Sequence, residues 1–195
     1  MRIIKSAVQD LIDATVVEVE ASFTKGMPSF TIVGMVNTSI TSKDRVKSAL
    51  LINNFKFPPL KITINLSPSD LNKKGTHFDL SIALQIALFN EEKIDFMDYF
   101  YFGELSLDGT IKDTNYIFAI VLSLSKKGLL KKVLVCRQSA EKLINIPNIE
   151  VYVVESLNSA IEFVKSNEKE KYLYKKKQIN YKEIDIITPP NKYLI

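Results

Sequence analysis

Residues 80–89 read "LSIALQIALF", ten residues in which Ser81 and Gln85 are the only polar side chains. A helix that is apolar almost all round has no face to give to water and must be enclosed by other elements. The stretch is too short to cross a bilayer, which takes roughly 18 apolar residues, and so is the other apolar run, "IFAIVL". The chain therefore has to wrap this segment, and with 195 residues it is long enough to do so.

The preceding residues, "LNKKGTHFD", suggest how the helix begins. Thr76 followed three residues later by Asp79 has the form of a cap, with the hydroxyl accepting a backbone N–H and the carboxylate placed at the positive end of the helix dipole. His77, the single histidine, lies inside this cap and is expected to be neutral and at most half-buried.

The flanking sequence supplies the wrapping. "TVVEVEASF" alternates Val17, Val19, Ala21 and Phe23 with polar residues, and "KGMPSFTIVG" follows at once, so the two read as a hairpin of strands. Residues 38–54 place Ile40, Val46, Ala49, Leu50 and Asn53 near helical spacing, and "LKITINL" alternates as a strand ended by "SPSD". After residue 98, "YFYFGELSLDGTI" predicts two short strands, and "NYIFAIVLSLSKKG" a buried helix closed by Gly128. "KKVLVC", "AEKLINI", "IEVYVV" and "LNSAIEFVKS" then alternate strand, helix, strand, helix, the pattern of a parallel sheet edge with a right-handed crossover. The fold class is α/β or α+β, with one domain over residues 1–166 and a basic linker or tail over 167–195.

The net charge of +4 comes from that tail. Residues 1–164 balance 18 Lys and Arg against 18 Asp and Glu, while residues 165–195 carry eight Lys against four acids. Tyr172, Tyr174 and Tyr181 are interleaved with the lysines, a composition that suits either a solvated linker or a surface that stacks bases and holds phosphates. Candidate nucleic-acid contacts are Arg45, Lys47, Lys73, Lys74, Lys175, Lys176 and Lys177.

Chemistry is sparsely provided. No G-x-x-x-x-G-K-[ST] loop occurs, "NKKGTH" having its lysines before a lone glycine, and no G-x-G-x-x-G occurs. One histidine and one cysteine give neither a transition-metal site nor a Cys-His pair, and Cys136 in "KKVLVC" reads as a small buried residue. Gln9, Asp10 and Asp13 interrupt any apolar leader, so a cytoplasmic location is expected and no membrane partner.

Three blocks carry a resemblance: "VVEVEASFTKGMPSFTIVG", "DRVKSALLINNFKFPPLKITINLSPSDLNKKGTHFDLSIAL" and "FGELSLDGTI". They resemble the N-terminal domain of the ComM/YifB family of magnesium-chelatase-like AAA+ proteins, over about residues 5–165. The resemblance implies a fold like ribosomal protein S5 domain 2 and the Lon protease domain, in which an unusual crossover would escape the general handedness rule. It also implies a hexameric ATPase after the domain and, for the family, DNA branch migration in natural transformation.

Laid on the Lon arrangement, His77 stands where the nucleophilic serine would be, and Phe118 or a neighbour where the lysine would be. The resemblance thus implies a protease-like scaffold without the dyad, so no catalytic residue and no enzyme activity by this chain alone are expected. ATP and Mg would belong to an ATPase domain, for which this sequence has no P-loop. The chain is accordingly expected to be a truncated, split or excised front part, with "INYKEIDI" beginning a linker from which "ITPPNKYLI" departs. "MVNTSITSKDRV" also departs from the family's Leu-Pro-acidic pattern, which puts any contact of that loop in doubt. Expected partners are an AAA+ module or ring subunits, with oligomers formed only together with the ATPase, and DNA as a further candidate. The rival readings are a freestanding nucleic-acid-binding module and, more weakly supported, a Lon-like peptidase.

Overall fold

The computed structural model describes residues 2–10, 12–35, 39–71, 73–91 and 94–175. The chain begins with β1 (Ile3–Asp10), β2 (Asp13–Thr24) and β3 (Ser29–Val33), followed by α1 (Ser39–Ile52), β4 (Lys61–Ser67) and α2 (Asp79–Ala87). Three short strands come next, β5 (Phe100–Tyr101), β6 (Glu104–Leu105) and β7 (Ile111–Lys112), then α3 (Ile117–Lys126). β8 (Lys132–Val135), α4 (Arg137–Leu143), β9 (Glu150–Val153) and α5 (Leu157–Lys165) complete the alternation, and a 3-10 turn spans Lys169–Tyr172.

Seven strands form one mixed sheet in the order β3-β4-β2-β1-β5-β8-β9, and β6 with β7 makes a small separate hairpin. The sheet is parallel at β3–β4, β1–β5, β5–β8 and β8–β9 and antiparallel at β1–β2 and β2–β4. The expected α/β class is what the chain adopts. Among the described residues, no helix is long and apolar enough to cross a membrane.

Strand period 2 splits the core into two layers. Ile4, Val17, Val19, Ile62, Ile64 and Tyr101 point to one face, where buried side chains of α1, α2 and α5 meet them. Ala7, Ala14, Phe100, Val133 and Val135 point to the other, against Ile117, Ile120, Val121 and Leu124 of α3 and Ala140 and Leu143 of α4. The α2 segment lies within the first layer with Asp79 to Ile86 all buried, as its all-round apolarity demands. Its two polar side chains are satisfied by backbone carbonyls: Gln85 Nε2 donates to Val19 (2.7 Å) and Arg2 (3.1 Å), and Ser81 Oγ donates to Tyr101 (3.2 Å).

Three differences from the sequence reading are topological. β2 and β3 are consecutive but are not a hairpin, because β4 lies between them, antiparallel to β2 and parallel to β3. The chain leaves β3 through Gly34, whose positive φ (83°) and closeness to the Leu66 carbonyl (2.5 Å from an added Cβ) leave no room for a side chain. α1 then carries it back as a crossover to β4. β1 was not evident in the sequence at all, yet it is a central strand paired with β2 along its whole length.

The third difference is at the end of the domain. Packing continues beyond residue 166 to Tyr174. Lys169 Nζ donates to the Phe163 and Val164 carbonyls at the end of α5, the Tyr172 ring meets Phe163 edge-on at 5.2 Å, and Leu173 bridges Tyr152 of β9. Tyr174 N–H donates to the Val151 carbonyl at 2.8 Å. Part of the lysine-rich segment is therefore a strap on the sheet edge.

Candidate functional site

The polar residues that sequence reasoning gathered around the start of α2 are engaged there with neighbouring elements, His77 and Asp79 wholly buried and Thr76 half-buried. Residues 73–78 run from β4 into α2 without a side-chain cap: Phe78 occupies the cap position, and the Thr76 hydroxyl donates to the Glu104 carboxylate of β6. The expected Thr76 cap is thus corrected. The backbone meets the need instead, Asp79 N–H donating to the Thr76 carbonyl at 3.1 Å.

Asp79 keeps its place at the positive end of α2, but its main partner is Arg45 of α1. Arg45 Nε donates to Asp79 Oδ2 at 2.7 Å and its Nη2 to Ser42 Oγ at 3.1 Å, with the carboxylate fully buried. Leu105 N–H adds a longer bond to Asp79 Oδ2 (3.4 Å). Burial pushes the Asp79 carboxyl up to about 6, against the pull of Arg45 and the hydrogen bonds of Ser42 and Leu105. Arg45, engaged by this carboxylate, is raised above its ordinary value although burial opposes it. The pair pins α1 to α2, so Arg45 has its charge committed inside the protein.

His77 is wholly buried, not half-exposed. Its Nε2 donates to the Ala7 carbonyl of β1 at 2.9 Å, which fixes the tautomer and leaves Nδ1 unprotonated. Nδ1 has no hydrogen-bond partner and lies against Gly75, whose positive φ (120°) and lack of a side chain make the space; an added Cβ would lie 2.7 Å from it. Phe78 and Phe102 flank the ring at centroid distances of 4.3 and 6.0 Å. Desolvation drives the imidazole down to about 4, the Ala7 bond opposing, so it is neutral at pH 7. Phe118, in the place that the resemblance gives to a catalytic lysine, is 43% exposed on α3, although that segment reads as a buried helix.

The lysines do not converge. Lys73 is buried, its ammonium donating to the Pro68 and Leu71 carbonyls, and it is not presented to a phosphate. Lys47 on α1 is exposed and sits 5.9 Å over the Phe57 ring, and Lys74 is exposed in the loop before α2. Lys175 is exposed beyond the strap at the β9 edge, the opposite end of the sheet from the β3 strand that α1 packs against. Lys176 and Lys177 lie outside the described residues. Cys136 is buried just before α4, its sulfur 3.4 Å from Ser139 Oγ. Among the described residues, no group of three His, Cys, Asp or Glu side chains could hold a metal ion.

Sequence reasoning missed the Arg45–Asp79 pair and the Glu104 partner of Thr76. An acid in the first turn of an otherwise apolar helix was the available signal, since such a carboxylate needs a donor from a neighbouring element.

The sequence model of the family described as subunit ChlI of Mg-chelatase matches residues 19–139, more than half of the chain. The chain belongs to this ChlI family. Within it, the chain is 30% identical over 162 residues to the competence protein ComM of Haemophilus influenzae, covering 81% of this chain and 31% of ComM. It is 30% identical over 158 residues to the uncharacterized protein YifB of Escherichia coli and 28% identical over 156 to that of Salmonella typhimurium, in each case 78% of this chain and 30% of the relative. This ChlI-family chain thus corresponds to a ComM/YifB-type N-terminal region and spans about a third of the length of those relatives.

Proposed function

We propose that the chain is a non-catalytic structural domain of a ComM/YifB-like AAA+ system, which sets the assembly or substrate gating of an ATPase ring that acts on DNA. The observation that carries this reading is the internally bonded junction before α2. His77, at the position that resembles the protease nucleophile, is buried and bonded to a strand carbonyl, while Arg45, Asp79, Thr76 and Glu104 satisfy one another. Groups so engaged fix the geometry at which α1, α2 and β1 meet, which is what a structural role requires. In this reading ATP and Mg act on the ATPase, not on this chain.

The test is co-purification of the 195-residue chain with AAA+ ATPases of its host, followed by ATP turnover and native mass with and without it. A changed assembly state or turnover supports the reading, and an ATPase indifferent to the chain removes it. Lys175, exposed at the end of the strap where it could hold a phosphate, favours the second reading, a nucleic-acid-binding module. That reading requires retention of labelled oligonucleotide that weakens steeply with salt and is lost on deleting residues 175–195.

A further inference from the structure

The two edges of the seven-stranded sheet are finished differently. At β9 the strap crosses the edge, Leu173 bridging Tyr152 and Tyr174 bonding Val151, and the strand begins with the exposed charge of Glu150. At β3, among the described residues, no segment pairs the outer side of the strand. Nor does the sequence place charge on it, because residues 26–42 contain no charged side chain. Bare edges of β-rich, uncharged sequence recruit further strands, and proteins normally block them with charge, bulges or cover.

The register determines what such an edge can pair with. Ser29 N–H donates to the Leu60 carbonyl, so in this parallel pairing Ser29, Thr31 and Val33 direct their backbone groups to β4. Phe30 and Ile32 therefore direct theirs outward. Two copies related by a two-fold axis through Thr31 place Phe30 opposite Ile32 of the second copy and Ile32 opposite its Phe30, and each pair exchanges two N–H to C=O bonds. Thr31 then faces Thr31 as a non-hydrogen-bonded pair, a favourable cross-strand match. Pro28, with no N–H, and Gly34, with positive φ, bound the pairing to the five residues of β3.

A self-pairing edge must carry no charge that would meet its own image, and this one carries none. The exposed side chains at its ends, Met27 (89%) and Val33 (45%), are apolar. We infer that β3 is a self-association edge, and that two copies of this chain join antiparallel through it into one continuous sheet. The contact is isologous and closes at the dimer. It needs no ATPase, unlike the oligomers expected from the family resemblance, and it is independent of the functional proposal above.

Sedimentation equilibrium of the full chain should show a reversible monomer–dimer mixture in the micromolar range. Thr31→Lys, at an exposed position, sets two ammonium groups face to face and should leave only monomer, with a thermal melt equal to that of the wild-type chain at concentrations where both are monomeric. Thr31→Cys should form a disulfide dimer on mild oxidation. Ser29→Cys alone should not, whereas a mixture of Ser29→Cys with Val33→Cys should. A chain monomeric at every concentration, a dimer that survives Thr31→Lys, or cross-linking of Ser29→Cys as fast as Thr31→Cys would each overturn the inference.

Discussion

The two halves of the sheet reach a packed core by different chemistry. In the half built from β1–β4, α1 and α2, buried polar groups hold the elements in register: Arg45 to Asp79, His77 to Ala7, Gln85 to Val19 and Lys73 to its own loop. In the half built from β5, β8, β9 and α3–α5, the contacts are mostly apolar and aromatic, with Tyr99, Tyr152, Phe163 and Tyr172 meeting edge-on or tilted at 5.1–5.6 Å. Hydrogen-bonded pairs specify one arrangement at the cost of desolvation, whereas aromatic packing supplies burial and tolerates small shifts. The first half should therefore respond to pH and the second to lost volume.

The largest effect belongs to the aromatic half. Phe163→Ala removes a fully buried ring that three tyrosines contact and should lower unfolding free energy by about 4 kcal/mol in a denaturant titration. A loss as small as that of an ordinary surface substitution would show that the cluster closes over the gap.

The next effect sharpens the polar side of the comparison. His77 stays neutral in the fold down to about 4, while in the unfolded chain it takes a proton near 6.5. Its folded pKa is depressed, so the unfolded state binds more protons between these values, and this contribution is full above pH 6.5 and lost as pH falls toward 4. Relative to His77→Gln, the wild-type chain should lose about 3 kcal/mol across that window. Referencing to the variant matters because Asp79, raised to about 6, contributes with the opposite sign, stability being lost as pH rises from 3.8 toward 6. Parallel pH profiles for the two proteins would mean that His77 is not the titrating group.

Asp79→Ala should cost about 2 to 3 kcal/mol, less than a fully enclosed pair because the Arg45 side chain keeps 19% exposure to water. Combined with Arg45→Met the loss should shrink, since no unpaired charge then remains; an additive double variant would show that the two residues act separately. The smallest effect is at the strap, where Tyr172→Ala should cost about 1 kcal/mol and raise amide exchange at Tyr174 while leaving the rest of β9 protected.

The same contrast explains what was legible beforehand. The β8–α4–β9–α5 run was plain because apolar spacing alone determines it, and the α2 segment because nothing but enclosure suits ten residues of that composition. Pairing order was not legible: periodicity shows that β2 and β3 are strands, but not that α1 would deliver β4 between them. β1 was hidden because Lys5 and Gln9 break its apolar run, although Ile4, Ala7 and Val8 are all buried. The junction before α2 was misread in its details because a cap motif describes local bonds, and here Glu104, 28 residues away, competes for the Thr76 hydroxyl. Phe118 falls in a run whose hydrophobicity reads as a buried helix, whereas the helix turns Ile117, Ile120, Val121 and Leu124 inward and leaves it outside.

The strap also determines how the domain answers a mechanical load. It runs antiparallel to β9 and is held there by the Leu173 bridge and the Tyr174 to Val151 bond. Tension applied at Lys175 therefore loads this bridge first, the Tyr174 to Val151 bond being part of it. The Tyr172–Phe163 contact and the Lys169 bonds to the end of α5 yield after it. Releasing these few contacts lengthens the chain without parting any ladder of the seven-stranded sheet, so Lys169–Tyr174 is a short extensible leash at the end of the domain.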